Sequence, residues 1–403
     1  MVHIYLITGD IGGTNSRMSL YETGSYSTAL VEKWYRNQEH LTDKTKGGFE
    51  RQILLPFLRY CWDILKVPSI DNVEFIACLA CAGPVQRNKV VMSNLGIEIS
   101  GSAIEANKYS KNPFIQKIKR VKIINDFVAQ GYGCLTLAPH EVKELTPGSH
   151  GLVDNSGPKV CVGAGTGLGE CYLTPNEDES YSCFASEGGH VEFNPRSEVE
   201  IKLRAYLQNK FNSTTRVSVE RVVSGIGLAN VYEFLAKEFP RKVDKSVHEQ
   251  FLAAGDEQGK IVSVNAKSGT LCKQALDIMI SAYGGEAGSC AVKWIPTGGL
   301  YITGGITPKN IQHIEGQDSA FMKAYRDKGR VSSVLSNIPV FAVMVEDLGV
   351  RGVHHACLEE YKKMTKETTN TNKKSFAVSS YAVPAIAAAV AVGAGVLIKN
   401  ARG

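Results

Sequence analysis

Ile4-Tyr5-Leu6-Ile7-Thr8 is a β-rich apolar run that passes through Gly9-Asp10-Ile11-Gly12-Gly13-Thr14-Asn15 into Ser16-Arg17-Met18-Ser19-Leu20-Tyr21, where apolar and polar residues alternate. The pattern reads as strand, glycine turn, strand. It recurs far along the chain: Lys159-Val160-Cys161-Val162-Gly163 is a second largely apolar run, Ala164-Gly165-Thr166-Gly167-Leu168-Gly169 turns, and Glu170-Cys171-Tyr172-Leu173 resumes a strand. Two such units predict two related halves facing a shared ligand rather than a short-period solenoid. A third strand, Leu300 to Thr303, lies between Gly298-Gly299 and Gly304-Gly305. Three glycine turns on strands point to a polyphosphate cradled by backbone N–H groups.

Between these turns the pattern alternates. Ile53, Leu54, Phe57, Leu58, Trp62 and Leu65 stand at helical spacing within Phe49 to Leu65, and Val73 to Cys81 is a continuous apolar strand. Val121 to Ile124 is a short buried strand that ends at Asn125-Asp126 and runs into a helix from Phe127 to Leu137. Leu145 to Lys159, rich in Gly, Pro, Ser and Asn, reads as loop. Further helices are predicted near Glu198 to Leu207, Gly227 to Glu238 and Thr270 to Val292. Strands alternating with helices imply an α/β fold.

The chain has 403 residues, 43% hydrophobic and 21% charged, which is enough for at least two domains and describes a body that folds in water. The formal net charge is +5, but the last stretch holds Lys373, Lys374, Lys399 and Arg402 with no acid. Subtracting those four leaves about +1, and a near-neutral body argues against nucleic acid as a partner. Ten scattered cysteines fit a reducing compartment. Cys78 and Cys81 form a C-x-x-C, yet residues three apart on a strand point to opposite faces, so they read as core residues rather than a metal or disulfide pair.

Chemistry gathers at the turns. In Gly9 to Asn15, glycines let the backbone approach an anion, Thr14 and Asn15 add donors, and Asp10 supplies a carboxylate for a hydrated Mg2+. The repeat at Gly165, Thr166, Gly167 and Gly169 strengthens the phosphate reading. The chain contains no G-x-x-x-x-G-K-[ST], and Gly163, Gly165 and Gly167 miss the G-x-G-x-x-G spacing. Asp126 is the candidate base, because it opens a helix at the end of a buried strand, where the helix end favours its ionised form; the alternative is a plain helix cap. Glu187-Gly188-Gly189-His190 reads as a loop presenting a carboxylate and an imidazole to sugar hydroxyls, since two glycines disfavour a helical metal pair. His190 taken alone reads equally well as a structural histidine.

Thr8 to Asn15, Ile124 to Phe127, Gly163 to Gly169, Ser186 to His190, Glu220-Arg221-Val222-Val223-Ser224-Gly225 and Ile302 to Ile306 stand in the order found in bacterial-type glucokinases, which this chain resembles from about Ile4 to Tyr361. The resemblance implies a two-domain actin-like ATPase (ribonuclease H-like) α/β fold with a ligand cleft between domains. It places residues 1–124 with about 347–364 in a small domain and 125–346 in a large one. It implies an ATP-dependent transfer to the 6-hydroxyl of glucose, with Asp126 as catalytic base, and a homodimer. Asn94, Asn125, Asp126, Glu187, His190 and Glu220 would meet the hexose. Asp10, Gly12, Gly13, Thr14, Asn15, Gly165, Thr166 and Gly167 would meet ATP phosphates, with Asp10 at Mg2+, and Gly304 and Gly305 would lie on the nucleoside side. Two positions depart from the family pattern: Ile226 stands where a Pro is usual, and Leu95 follows Asn94 in place of a Trp. Another small-molecule sugar kinase of this fold and a non-catalytic sugar sensor are the rival readings. Glu187, His190 and Glu220 together favour a hexose over acetate or glycerol.

The C-terminus lies outside that resemblance. After a polar linker over 365–380, the run Tyr381 to Ile398 carries no charge, and Lys373, Lys374, Lys399 and Arg402 flank it. As a helix its 18 residues would span about 27 Å, enough for a thin bilayer. Residues 381–403 therefore read as a tail anchor that keeps the enzyme facing the cytosol, on the outer membrane of a mitochondrion-related organelle. Its many alanines, with Pro384, Gly393 and Gly395, leave packing on the enzyme's own surface or a mobile extension as the alternatives.

Overall fold

The computed structural model describes residues 2–24 and 28–367. A first sheet contains β1 (His3–Ile11), β2 (Asn15–Glu22), β3 (Val31–Arg36), β4 (Val73–Cys81) and β5 (Ile118–Asn125). Its order is β3-β2-β1-β4-β5, antiparallel on the β1-β2-β3 side and parallel across β1, β4 and β5. A second sheet contains β6 (Val142–Glu144), β7 (Lys159–Ala164), β8 (Leu168–Pro175), β9 (Tyr181–Ser186), β10 (Gly299–Thr303) and β11 (Val340–Val343). Its order, β9-β8-β7-β10-β11-β6, repeats the first arrangement and adds β6 antiparallel at the edge.

Helices α1 (Leu55–Leu65), α2 (Asp126–Cys134), α3 (Glu198–Lys210), α4 (Gly225–Glu238), α5 (Leu271–Trp294) and α6 (residues 348–367) pack on these sheets. Parallel strands need cover on both faces, which is why β4 reads as an unbroken apolar run. On one face Phe57 and Leu58 of α1 join Ile7, Met18, Phe75 and Leu79. On the other, Val353, Ala356 and Cys357 of α6 join Leu6, Ile76, Cys78 and Ala80. Cys78 and Cys81 accordingly lie in different cores, on opposite faces of β4, and all ten cysteines are free. The second sheet's core is larger and draws on α3, α4 and α5.

Local differences from the sequence pattern have tertiary causes. The helix over Phe49 to Leu65 begins with a π-helical turn, Glu50–Leu54. The helix from Asp126 stops at Cys134, and Thr136 closes it by donating to the Gly133 carbonyl from both its N–H (2.9 Å) and its Oγ1 (2.8 Å). Within the expected loop, Ser149–Leu152 forms a helical turn because the Ser149 hydroxyl, fully buried, donates to Thr146 O (2.6 Å) and accepts from Val340 N (3.2 Å). Residues 365–367, read as linker, continue α6, where Arg120 pairs with Glu367 at 2.9 Å. Among the described residues no helix is long and apolar enough to cross a membrane, and the rest of the linker and the run 381–398 lie outside those residues.

Candidate functional site

The first glycine turn is closed by Gly12 N donating to Asn15 O at 2.9 Å. Beneath it sits Asn37, fully buried, whose Nδ2 donates to Gly12 O (2.8 Å), whose Oδ1 accepts from Ser16 Oγ (2.7 Å) and whose N–H donates to Thr14 O (2.8 Å). No motif marked Asn37, since an isolated amide after an edge strand carries no spacing signal. Asn94 lies against the same turn: a Cβ added to Gly13 would stand 2.6 Å from its Nδ2. Thr14 and Asn15 are exposed at the tip.

Asn125, not Asp126, caps α2. Its Oδ1 accepts from Phe127 N (2.8 Å) and Val128 N (3.3 Å), while its Nδ2 donates to Gly83 O (3.1 Å), so much of its amide is committed to the fold. Asp126 is therefore the first helical residue. The next residue locks the helix to the other half of the molecule. The Phe127 ring fills the space left by two glycines paired across the second hairpin, and a Cβ would come within 3.0 Å of it at Gly163 and 2.0 Å at Gly169. Asp126 thus leaves the end of β5 in the first sheet and is fixed by a neighbour seated on the second.

The second turn is built the same way. Gly165 N donates to Gly167 O and Gly225 N to Gly165 O, both at 2.8 Å, and Thr166 is exposed at its tip. Glu220 Oε2 accepts from Leu168 N at 3.0 Å and occupies the place a Cβ on Gly167 would need, 2.5 Å away. Gly304, at φ +81°, backs against Ala164 O, where a Cβ would be 2.3 Å away, and Gly305 follows it. Below them the Tyr283 hydroxyl, fully buried, accepts from Ala164 N (3.2 Å) and faces the carbonyls of Val162 and Thr303, each at 3.1 Å.

Glu187 and His190 bracket a single 3-10 turn, Gly188–His190, and both are exposed. Gly189 is pressed on Leu168 O, where a Cβ would be 2.0 Å away, and Arg216 donates to His190 O at 2.6 Å. Phe193 N to Val217 O and Val219 N to Val191 O, both 2.8 Å, hold this loop beside the segment that carries Glu220.

Carboxylates dominate the electrostatics. Burial, with Asp10 and Glu187 nearby, pushes Asp126 up to about 6, although a backbone N–H pulls the other way. Burial also raises Asp10, only partly offset by Arg17, whose guanidinium pairs with Glu32 at 2.5 Å. Asp10 and Glu187 thus act on Asp126 from two separate segments, and among the described residues no Lys or Arg pairs directly with Asp10 or Asp126. A group of this kind suits a cation and a proton acceptor.

Two duplicated sheets, each with a glycine turn in its first hairpin and joined by a helix with an acid at its first position, define the duplicated α/β fold of the actin-like ATPases. The family model described as Glucokinase matches residues 7–360. A glucokinase of Synechocystis sp. is 39% identical over 361 residues, covering 87% of this chain and 96% of that protein. A glucokinase of Helicobacter pylori strain J99 is 32% identical over 358 residues, covering 88% and 96%. The chain belongs to the glucokinase family. Among solved structures, a Balamuthia mandrillaris glucokinase in complex with glucose shares the fold at TM-score 0.67 and 19% identity, covering 88% of this chain and 94% of that one. A glucokinase from an Antarctic psychrotroph does so at 0.64 and 22%, covering 88% and 99%.

The seat of Phe127 can be tested by filling it. Gly169→Ala forces the ring and α2 to shift, an overpacking expected to cost about 1–3 kcal/mol. Thermal unfolding and turnover should both fall, whereas Gly151→Ala, where an added Cβ meets nothing within 4 Å, should leave turnover unchanged.

Proposed function

We propose that the protein is an ATP-dependent glucokinase that transfers the γ-phosphoryl group of ATP to the 6-hydroxyl of glucose. The observation that carries this reading is Asp126, a partly buried carboxyl at the first position of α2 that is raised to about 6 and feels the charges of Asp10 and Glu187. In this role Asp126 accepts the proton of the attacking hydroxyl. Because the transition state of phosphoryl transfer is loose, the remaining task is alignment and charge neutralisation. Glu187, His190, Glu220, Asn94 and the free part of Asn125 would orient the hexose. Gly12, Gly13, Thr14, Asn15, Gly165, Thr166 and Gly167 would line the phosphates, and Gly304-Gly305 the nucleoside.

Asp10, raised by burial and without a directly paired cation, suits an Mg2+ ion, which when bound would offset phosphate charge. The units 1–124 with 347–364, and 125–346, would close over the sugar and exclude water. A homodimer is proposed from family membership. Replacing Asp126 by Asn removes the base and relieves the burial of a charge at once. Turnover is expected to fall by about 10²–10⁴-fold with glucose affinity nearly kept, while the thermal midpoint at neutral pH rises. A variant that turns over like the wild type would refute the base.

The pH dependence follows from the same carboxyl. A base must be deprotonated, so kcat/KM should be level above about 7 and fall about tenfold per unit below 6. Stability should move the other way. The folded state takes up this proton before the unfolded chain does, so its burial penalty disappears as the pH falls through about 6. A kcat/KM profile flat down to pH 5 would contradict the assignment.

For the tail, the uncharged run 381–398 and its flanking cations support a membrane anchor with the enzyme facing the cytosol, on a mitochondrion-related organelle. Alkaline-carbonate extraction of cells expressing the full chain, or a version stopped after Lys374, should leave only the full chain in the membrane pellet. Recovery of both in the soluble fraction would remove the anchor and leave the kinase reading intact.

A further inference from the structure

Behind the Glu187–His190 loop, three potential ligand groups converge in the interior. Glu286 and Cys290, one turn apart on α5, face Glu170 on β8. Glu170 is 6% exposed, Glu286 7% and Cys290 1%. Cys290 Sγ stands 3.3 Å from Glu170 Oε2 and 3.7 Å from Glu286 Oε1, and one ligand atom from each residue lies within 4.8 Å of the other two. Tetrahedral zinc with bonds of about 2.3 Å to sulfur and 2.0 Å to oxygen would set sulfur and oxygen roughly 3.5 Å apart. The two distances bracket that value.

A separate observation points to a missing partner. Glu170 Oε1 is buried and has no hydrogen-bond partner, an expensive state for a carboxylate. Burial and the neighbouring Glu286 push Glu170 up to about 7, and burial raises Glu286 and the Cys290 thiol as well. The cations facing the group are few. Lys293, half-exposed, reaches Glu286 Oε1 at 3.9 Å, and Lys328 acts on Glu286 from a distance while donating to Gly285 O. With both carboxyls and the thiol ionised, three negative charges meet one close ammonium; one divalent cation would balance the remainder.

We propose that Glu170, Glu286 and Cys290 form a buried site for a borderline divalent cation of the zinc type, separate from the Mg2+ expected at Asp10. Thiolate ligation distinguishes this chemistry from that of magnesium or calcium, which prefer oxygen alone. Coordination releases to solvent the thiol proton and any proton held on the carboxyl pair. The site lies directly under the sugar loop: Glu170 is paired with Ser186 in the sheet, and a Cβ on Gly188 would stand only 1.8 Å from Glu170 Oε2. A bound cation would hold that carboxylate, and with it the loop carrying Glu187 and His190, in one position. Glu170, Glu286 and Cys290 are in this sense positioning residues.

The test counts metal on the folded full-length protein. Zinc is added, excess is removed by dialysis, and the bound metal is measured by plasma mass spectrometry. About one zinc per chain is expected, with a Kd of about 1 μM or tighter, protons released on titrating zinc into metal-free protein, and a thiolate-to-metal charge-transfer band when cobalt replaces zinc. Cys290→Ser should remove the cobalt–thiolate band and weaken zinc binding at least about tenfold, and Glu286→Gln should weaken it too. Wild-type protein that is folded but retains no zinc overturns the site, whatever the variants do. Equal zinc retention and an unchanged cobalt spectrum in a folded Cys290→Ser protein overturn it as well.

Discussion

The placement of Asp126 depends on one steric contact, the Phe127 ring on the paired glycines Gly163 and Gly169. A hairpin can accept an aromatic ring this closely only where both facing positions lack a side chain. Because Phe127 follows Asp126, and Asp126 follows the cap that ends β5, the contact determines where a residue from the first sheet stands relative to the second. Gly131 extends the seat, since a Cβ there would lie 2.6 Å from both Cys171 and Cys183 Sγ, and Gly352 lets α6 approach Ala129 O. Helix α2 is thus a thin element wedged between three others, and its glycines are needed for close approach although glycine weakens a helix.

That wedge has an electrostatic consequence. A carboxyl carried on a packed helix end is partly withdrawn from water and feels the charges of Asp10 and Glu187, and its affinity for a proton rises accordingly. The helix N-terminus and the Phe127 N–H oppose this shift without cancelling it. Asp126 therefore stays mostly ionised at neutral pH, as its place at the helix end favours, but burial makes it hold a proton more tightly than an unperturbed aspartate. The result is an acid poised near neutrality, which suits proton acceptance better than an unperturbed aspartate would. A similar balance, with a thiol added, recurs at Glu170, Glu286 and Cys290 beneath the Glu187–His190 loop.

Much of this was readable from local pattern. The glycine turns announce themselves because backbone approach to an anion requires small residues in fixed order, and β4 announces itself because a strand covered on both faces must be apolar throughout. Motif order marked Asn94, Glu187, His190 and Glu220, and the structure sets Asn94 against Gly13, Glu220 against Gly167, and the Glu187–His190 loop beside the Glu220 segment. The residues that escaped notice are those whose partners are distant in the chain. Asn37 supports a turn more than twenty residues earlier, Tyr283 supports Ala164, and Glu170 acts through Gly188 and α5. Each is a single polar or aromatic residue, and neither spacing nor periodicity distinguishes it from an ordinary core or surface position.

The amino-acid sequence by itself determined the α/β class, the duplicated strand–turn–strand units, the opposite facing of Cys78 and Cys81 and the family, because these follow from side-chain periodicity and from motifs confined to a few consecutive residues. Only the tertiary structure decided that Asn125 rather than Asp126 caps α2, that Phe127 seats on the second hairpin, that Asp126 binds its proton near neutrality and that Glu170 meets Cys290. The physical reason is the same in each case. Desolvation and steric contact depend on which atoms from remote segments fill the space around a group, and that is settled only when the two sheets and their helices have packed together.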